Sequence, residues 1–189
     1  KIFNKAIVPA SGSYFLKESK EKNLNRLVLN NIDNASEIKD TDILRFDEMP
    51  EIYQSKPHKI IKMDIEGIEE EILTRNLNLL SKLSNISICI ELHQQAYTNP
   101  KELKETFMQL IKNNFTIDFV EFSMFCNKEI LNKFLSNKNL ISKNNNRYLI
   151  ENPKIEIIDH LVNCDYRIIK NPPFYSSKNV RSVTLHKNQ

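Results

Sequence analysis

The most constraining stretch of the chain is Lys59-Ile60-Ile61-Lys62-Met63-Asp64-Ile65-Glu66-Gly67-Ile68-Glu69-Glu70-Glu71-Ile72-Leu73. Five residues suited to a strand deliver Asp64 and Glu66 to a turn, and the turn runs straight into a helical pattern. Gly67 is one of two glycines in 189 residues. Glycine supplies backbone conformations and close approaches that other residues cannot, so a chain this poor in glycine places one here for a reason. In open α/β sheets ligands bind outside the carboxyl ends of the strands. The turn at 64–67 is therefore the first place to expect chemistry.

The neighbouring segments turn this one element into a unit. Ile68, Ile72 and Leu73, then Leu77, Leu79, Leu80 and Leu83, trace an apolar face that predicts one helix up to the break at Ser84-Asn85. The acids at 69–71 suit the positive end of a helix dipole. Ile86–His93 reads as a second buried strand that again ends in polar groups. Strand, helix and strand make a βαβ unit, with its crossover almost always right-handed. The unit would bring Asp64, Glu66, Glu91 and His93 to one rim.

The rest of the chain is read more coarsely. Residues 2–8 and 14–16, separated by Pro9–Ser13, predict a hairpin. Arg26–Leu29 and Asp42–Phe46 read as extended, Asn30–Asp40 as a polar loop, and Asp47–Tyr53 as a short turn of helix. Asn99-Pro100-Lys101-Glu102 is a helix start: an amide cap, proline at the first position, and glutamate three residues after the cap. Leu103, Phe107, Leu110 and Ile111 continue it. Phe115–Met124 predicts a strand and Asn127–Leu135 an amphipathic helix. The Asn/Lys-rich stretch 136–147 reads as an insertion or mobile loop. Tyr148–Ile150, Ile155–Ile158, Tyr166–Ile169 and Val180–His186 are expected strands. The whole is expected to be one α/β domain, with sheet core at 1–125 and 180–189 and an inserted α/β segment at 126–179.

Composition narrows the function classes. Twenty-seven basic against 24 acidic residues leave a net charge of +3, too weak and too dispersed to indicate a nucleic-acid or membrane partner. Cys89, Cys126 and Cys164 are odd in number and lack metal-ligand spacing; with no signal-peptide pattern or membrane-length apolar run, they fit a reducing, cytoplasmic setting. Cys89, inside an apolar strand, is expected to be buried and inert. His58, His160 and His186 have no partner at ligand spacing and read as solvated or core histidines.

The rim residues suit two chemistries. Asp64 or His93 can act as general base toward a hydroxyl. Alternatively, Asp64, Glu66 and Glu91, with or without His93, can hold a divalent metal, as in a metal-dependent hydrolase. The bland reading makes Glu91 and His93 ordinary strand-end residues satisfied by backbone donors. Glu69 reads as structural, at the start of a helix.

Ile61-Lys62-Met63-Asp64-Ile65-Glu66-Gly67-Ile68-Glu69, with Ile72-Leu73 following, resembles the FkbM family of S-adenosylmethionine-dependent methyltransferases. That family carries a pattern close to I-K-[ILM]-D-[VI]-E-G-x-E-x-x-[VI]-L. Asn4–Ile7 with Gly12, Ile43–Glu48 and Ile88–His93 resemble its flanking segments, so the likeness runs over about residues 3–125, with no counterpart evident for 126–179.

The resemblance implies a Rossmann-like class I methyltransferase sheet and S-adenosylmethionine as cofactor. It also implies methyl transfer to a hydroxyl of a sugar or small metabolite. Asp64 would lie near the transferring methyl, Ala6 at the adenine edge, and Glu91 and His93 beside the acceptor. One departure stands out: with glycine only at 12 and 67, the chain has no glycine-rich turn for the methionine end of the cofactor. The expectation is a C-terminal portion of a longer protein, its sheet incomplete on the N-terminal side and its central strand left with an open apolar edge. A non-catalytic fragment or binding module with this fold is the remaining alternative.

Overall fold

The computed structural model describes residues 5–9, 13–17, 26–28, 35–38, 43–49, 57–123, 128–134, 140–144, 147–163, 166–169, 175–178 and 180–188. Its centre is a six-stranded sheet. In chain order the strands are β1 (Ala6–Val8), β2 (Phe15–Lys17), β3 (Arg26–Val28), β4 (Ala35–Glu37), β5 (Ile43–Arg45), β6 (Lys59–Met63), β7 (Ile86–Glu91), β8 (Thr116–Ser123), β9 (Leu140–Asn144), β10 (Arg147–Glu151), β11 (Tyr166–Ile169), β12 (Tyr175–Lys178) and β13 (Val180–Lys187). The helices are α1 (Glu69–Arg75), α2 (Leu77–Lys82), α3 (Pro100–Lys112), α4 (Lys128–Phe134) and α5 (Ile158–Val162).

The main sheet runs β6-β7-β13-β8-β10-β9. β6 and β7 are parallel, with Met63 beside Ile90. β13 lies between β7 and β8 and is antiparallel to both, so β6, β7 and β8 share one direction and open their carboxyl ends on one rim. Alternation explains the packing: Ile86, Ile88 and Ile90 of β7 are buried while Ser87, Cys89 and Glu91 between them are half-buried. Ile72 and Leu73 of α1, Leu103, Phe107 and Leu110 of α3, and Leu161 of α5 join the same core. Burying an aliphatic side chain of this size stabilises by roughly 1.5–3 kcal/mol relative to leaving it in water.

The expected strands at 59–64, 86–92, 115–124 and 180–186 are four of the six that build this centre. Several other expectations are corrected. Among the described residues the hairpin of 2–8 with 14–16 does not form. β1 pairs in parallel with β5, and β2 pairs with β3 and with β4, which lies within the stretch read as polar loop. The expected single helix after Gly67 is two, because Asn76 between α1 and α2 leaves helical geometry. Its buried side-chain amide donates to the carbonyls of Pro9 and Ile72.

Ile155–Ile158 is not a strand but a 3-10 turn leading into α5, since Ile157, Ile158, Leu161 and Val162 are buried at helical spacing. The Asn/Lys-rich stretch contains β9, which with β10 extends the main sheet past β8. The proposed insertion thus contributes two strands to the core sheet. Cys89 is half-buried rather than enclosed, and the Thr184 hydroxyl lies 3.7 Å from its sulfur. Residues 50–53 of the short helix expected at 47–53 lie outside the described residues, as do Cys126, Cys164 and Gly12; Phe46–Glu48 forms one 3-10 turn.

Candidate functional site

The rim forms because the chain reverses sharply after β6. Glu66 takes a left-handed backbone conformation (φ 56°) and Gly67 follows at φ 106°. A side chain at 67 would also collide with Cβ of Ala96. Glycine is therefore required twice over, by conformation and by space. The close packing of this turn on Gln94–Ala96, the 3-10 turn after β7, holds the two strand ends together.

Glu69 organises the site from beneath. It is fully buried, and burying a carboxylate is costly unless its oxygens are satisfied. They are: Ile65 N–H donates to Oε1 at 3.0 Å and Gly67 N–H to Oε2 at 2.8 Å. The His93 ring nitrogen Nδ1 meets Oε1 at 2.8 Å. Because a carboxylate accepts, this contact places the imidazole proton on Nδ1 and turns Nε2 toward the rim. His93 is only 5% exposed. Its Nε2 stands 3.6 Å from Glu66 Oε1 and 4.0 Å from Asp64 Oδ1. Asp64 is the open member: its side chain is 41% exposed and lies 3.4 Å from the Lys62 ammonium.

The predicted site is thus assembled in three of its four members. Asp64, Glu66 and His93 converge, and their ligating atoms lie within 4.8 Å of one another. Glu91 does not join them; its carboxylate is 3.3 Å from Arg181 of β13. Ala6 sits in β1 beside Ile43 of β5. Its neighbour Ile7 lines a groove of about 420 Å³ along β6, together with Phe46, Met49, Met63 and Ile65. That volume lies within the range of small-molecule pockets.

Two residues that shape the site were not picked out from the sequence. In the sequence Glu69 reads as a helix-start acid, although its place two residues after Gly67 is the available signal. Tyr97 gave none. Its hydroxyl accepts from the His93 backbone N–H at 3.2 Å. Burial, and then the negative charge of Glu69, push its pKa well above the ordinary value.

Glu70 is also buried and fixes the segment after the site. It accepts from Thr98 N–H and Asn99 N–H, both at 2.6 Å, and from the Thr98 hydroxyl at 3.1 Å. Asn99 in turn caps α3, accepting from Glu102 N–H while its amide donates to the Glu102 carboxylate.

The Methyltransferase FkbM domain matches residues 3–168. The chain belongs to the FkbM methyltransferase family. The match extends well beyond residue 125 and so includes β9, β10 and α5, correcting the expectation that 126–179 has no family counterpart. No curated protein matches the chain, and no solved structure does. Membership makes this a methyltransferase domain and implies a methyl donor. No helix among the described residues is long and apolar enough to cross a membrane.

Proposed function

We propose that this FkbM domain carries out S-adenosylmethionine-dependent transfer of a methyl group to a hydroxyl of a sugar or small metabolite. The observation that carries the reading is the convergence of Asp64, Glu66 and His93 at the carboxyl ends of the parallel strands β6 and β7. In a Rossmann-like class I sheet this is where ligands bind. The cytoplasm, where this cofactor is made, suits both the reaction and a free Cys89.

The residues present fit the cofactor in part. Two carboxylates at the mouth suit a positively charged sulfonium, and the groove lined by Ile7, Phe46, Met49, Met63 and Ile65 suits a flat, weakly polar adenine with Ala6 at its edge. No glycine-rich turn is available for the methionine end, since the only glycines are at 12 and 67. When bound, the group supplies an electrophilic methyl. The chain's own contribution is placement and proton handling. The exposed carboxylate of Asp64 takes the proton of the reacting hydroxyl, while Glu66 and the Nε2 of His93, both acceptors here, take hydrogen bonds from neighbouring hydroxyls of the acceptor and so orient it. Positioning of this kind is worth up to about 7–11 kcal/mol of a barrier, and a placed base contributes on the order of 10²–10⁴-fold. The hydrolase alternative is less well supported, because the family model that spans residues 3–168 is that of a methyltransferase domain.

The test is transfer of labelled methyl from S-adenosylmethionine to a panel of hydroxyl-bearing sugars and metabolites, using the longest natural form of the protein. Labelled product is expected, with Asp64→Asn lowering the rate at least about 10²-fold. Absence of both cofactor binding and labelled product would overturn the reading.

A further inference from the structure

We propose that Asp64, Glu66 and His93 form a binding site for one divalent first-row transition cation. Ligand atoms bound to such an ion at about 2.0–2.2 Å stand roughly 2.8–3.6 Å apart at octahedral or tetrahedral angles. Here Nε2 of His93 is 3.6 Å from Glu66 Oε1 and 4.0 Å from Asp64 Oδ1. These separations exceed a hydrogen bond and close to metal-bound values with small rotations. Asp64, the member that must move furthest, is also the most exposed. Its contact with the Lys62 ammonium is at 3.4 Å, and the lysine side chain is 74% exposed. A screened pair of that kind contributes little, and the ammonium can leave without disturbing the fold.

The nitrogen ligand distinguishes this site from an ordinary group of acids. His93 is buried and is held by Glu69, whose Oε1 takes the Nδ1 contact at 2.8 Å while two backbone amides pin the carboxylate. A carboxylate behind a histidine, fixing its tautomer and ring direction, is the usual support of a metal-binding imidazole. Two carboxylates and a neutral imidazole also balance a 2+ charge. A site with imidazole favours zinc, iron or nickel over magnesium or calcium, which prefer oxygen alone, and its two carboxylates also admit manganese as a probe.

The binding site rests on geometry alone; only its role in catalysis depends on the transfer reading. There, a hydroxyl at an open coordination position would release its proton at lower pH, with the proton passing to the second oxygen of Asp64.

The test is titration of the full chain with Mn²⁺, followed by the loss of the free-ion electron paramagnetic resonance signal, with neither donor nor acceptor present. One ion per chain is expected. Glu66→Gln and Asp64→Asn, both at partly exposed positions, should each weaken binding at least tenfold while circular dichroism stays unchanged. Glu69→Gln should weaken it about 10–100-fold. Zn²⁺ should displace Mn²⁺, and equimolar Mg²⁺ should not. An undiminished free-ion signal, binding unaffected by the Asp64 and Glu66 variants, or ready displacement by Mg²⁺ would each overturn the site. None of these results depends on methyl transfer, so failure here leaves that reading standing.

Discussion

At the scale of single residues, the turn after β6 sets what the site tolerates. Gly67→Ala would add a Cβ against Ala96 and force an L residue into φ 106°. The expected cost is about 1–3 kcal/mol from the backbone alone, read as a lower denaturation midpoint with loss of binding at the rim. Tyr97 sets an alkaline limit. Its folded-state pKa is raised by burial and by Glu69, so its contribution to stability is complete below the unfolded value near 10. That contribution is lost as pH climbs from there through the higher folded value. Stability of Tyr97→Phe, measured by denaturant from pH 8 to 11, should fall less steeply than that of the wild type.

Asp64, Glu66 and His93 were legible because strand ends and a βαβ crossover place residues by counting alone. Glu69 was not. An acid in a first helical turn reads as a dipole partner, and its burial depends on a histidine 24 positions away. Glu91 failed for a different reason: nothing in β7 reveals that Arg181 waits on the strand beside it.

At the scale of elements, local signals were sound and partner choice was not. The cap of α3 was written in four adjacent residues and formed as written. What its sequence concealed is that the same turn hangs from Glu70. Glu70→Ala would leave the amides of Thr98 and Asn99 without their acceptor, at a cost of about 1.5–3 kcal/mol for hydrogen bonds to a charged group. Hydrogen exchange at the start of α3 should report it as local opening. β1 and β5 illustrate the opposite limit: proline and glycine marked a turn, but the parallel partner lay 37 residues on in the register of Ala6 with Ile43. Four apolar-leaning residues at 155–158 were likewise too few to separate strand from helix by period.

At the scale of the molecule, β6 ends the sheet order, and among the described residues it pairs only with β7. Ile60 on that strand is 72% exposed. An uncovered apolar edge invites pairing with another chain. Ile60→Lys is therefore expected to reduce concentration-dependent association in light scattering without shifting the denaturation midpoint by more than about 0.5 kcal/mol. The open edge was legible from the family resemblance. The strand at 148–150 was legible as well, but the strand at 140–144 was not, since Asn- and Lys-rich sequence resembles loop until tertiary pairing overrides it.

The position of β13 carries a consequence for biosynthesis. β7 and β8 are separated by a strand that the ribosome makes more than 50 residues after β8. Until that segment emerges from the exit tunnel, the two halves of the sheet have no common ladder, and β7 exposes an unsatisfied flank to solvent. Nascent chains stalled before Val180 should therefore be strong clients for chaperones and proteases, whereas release of the next eight residues should let the whole sheet lock in one step.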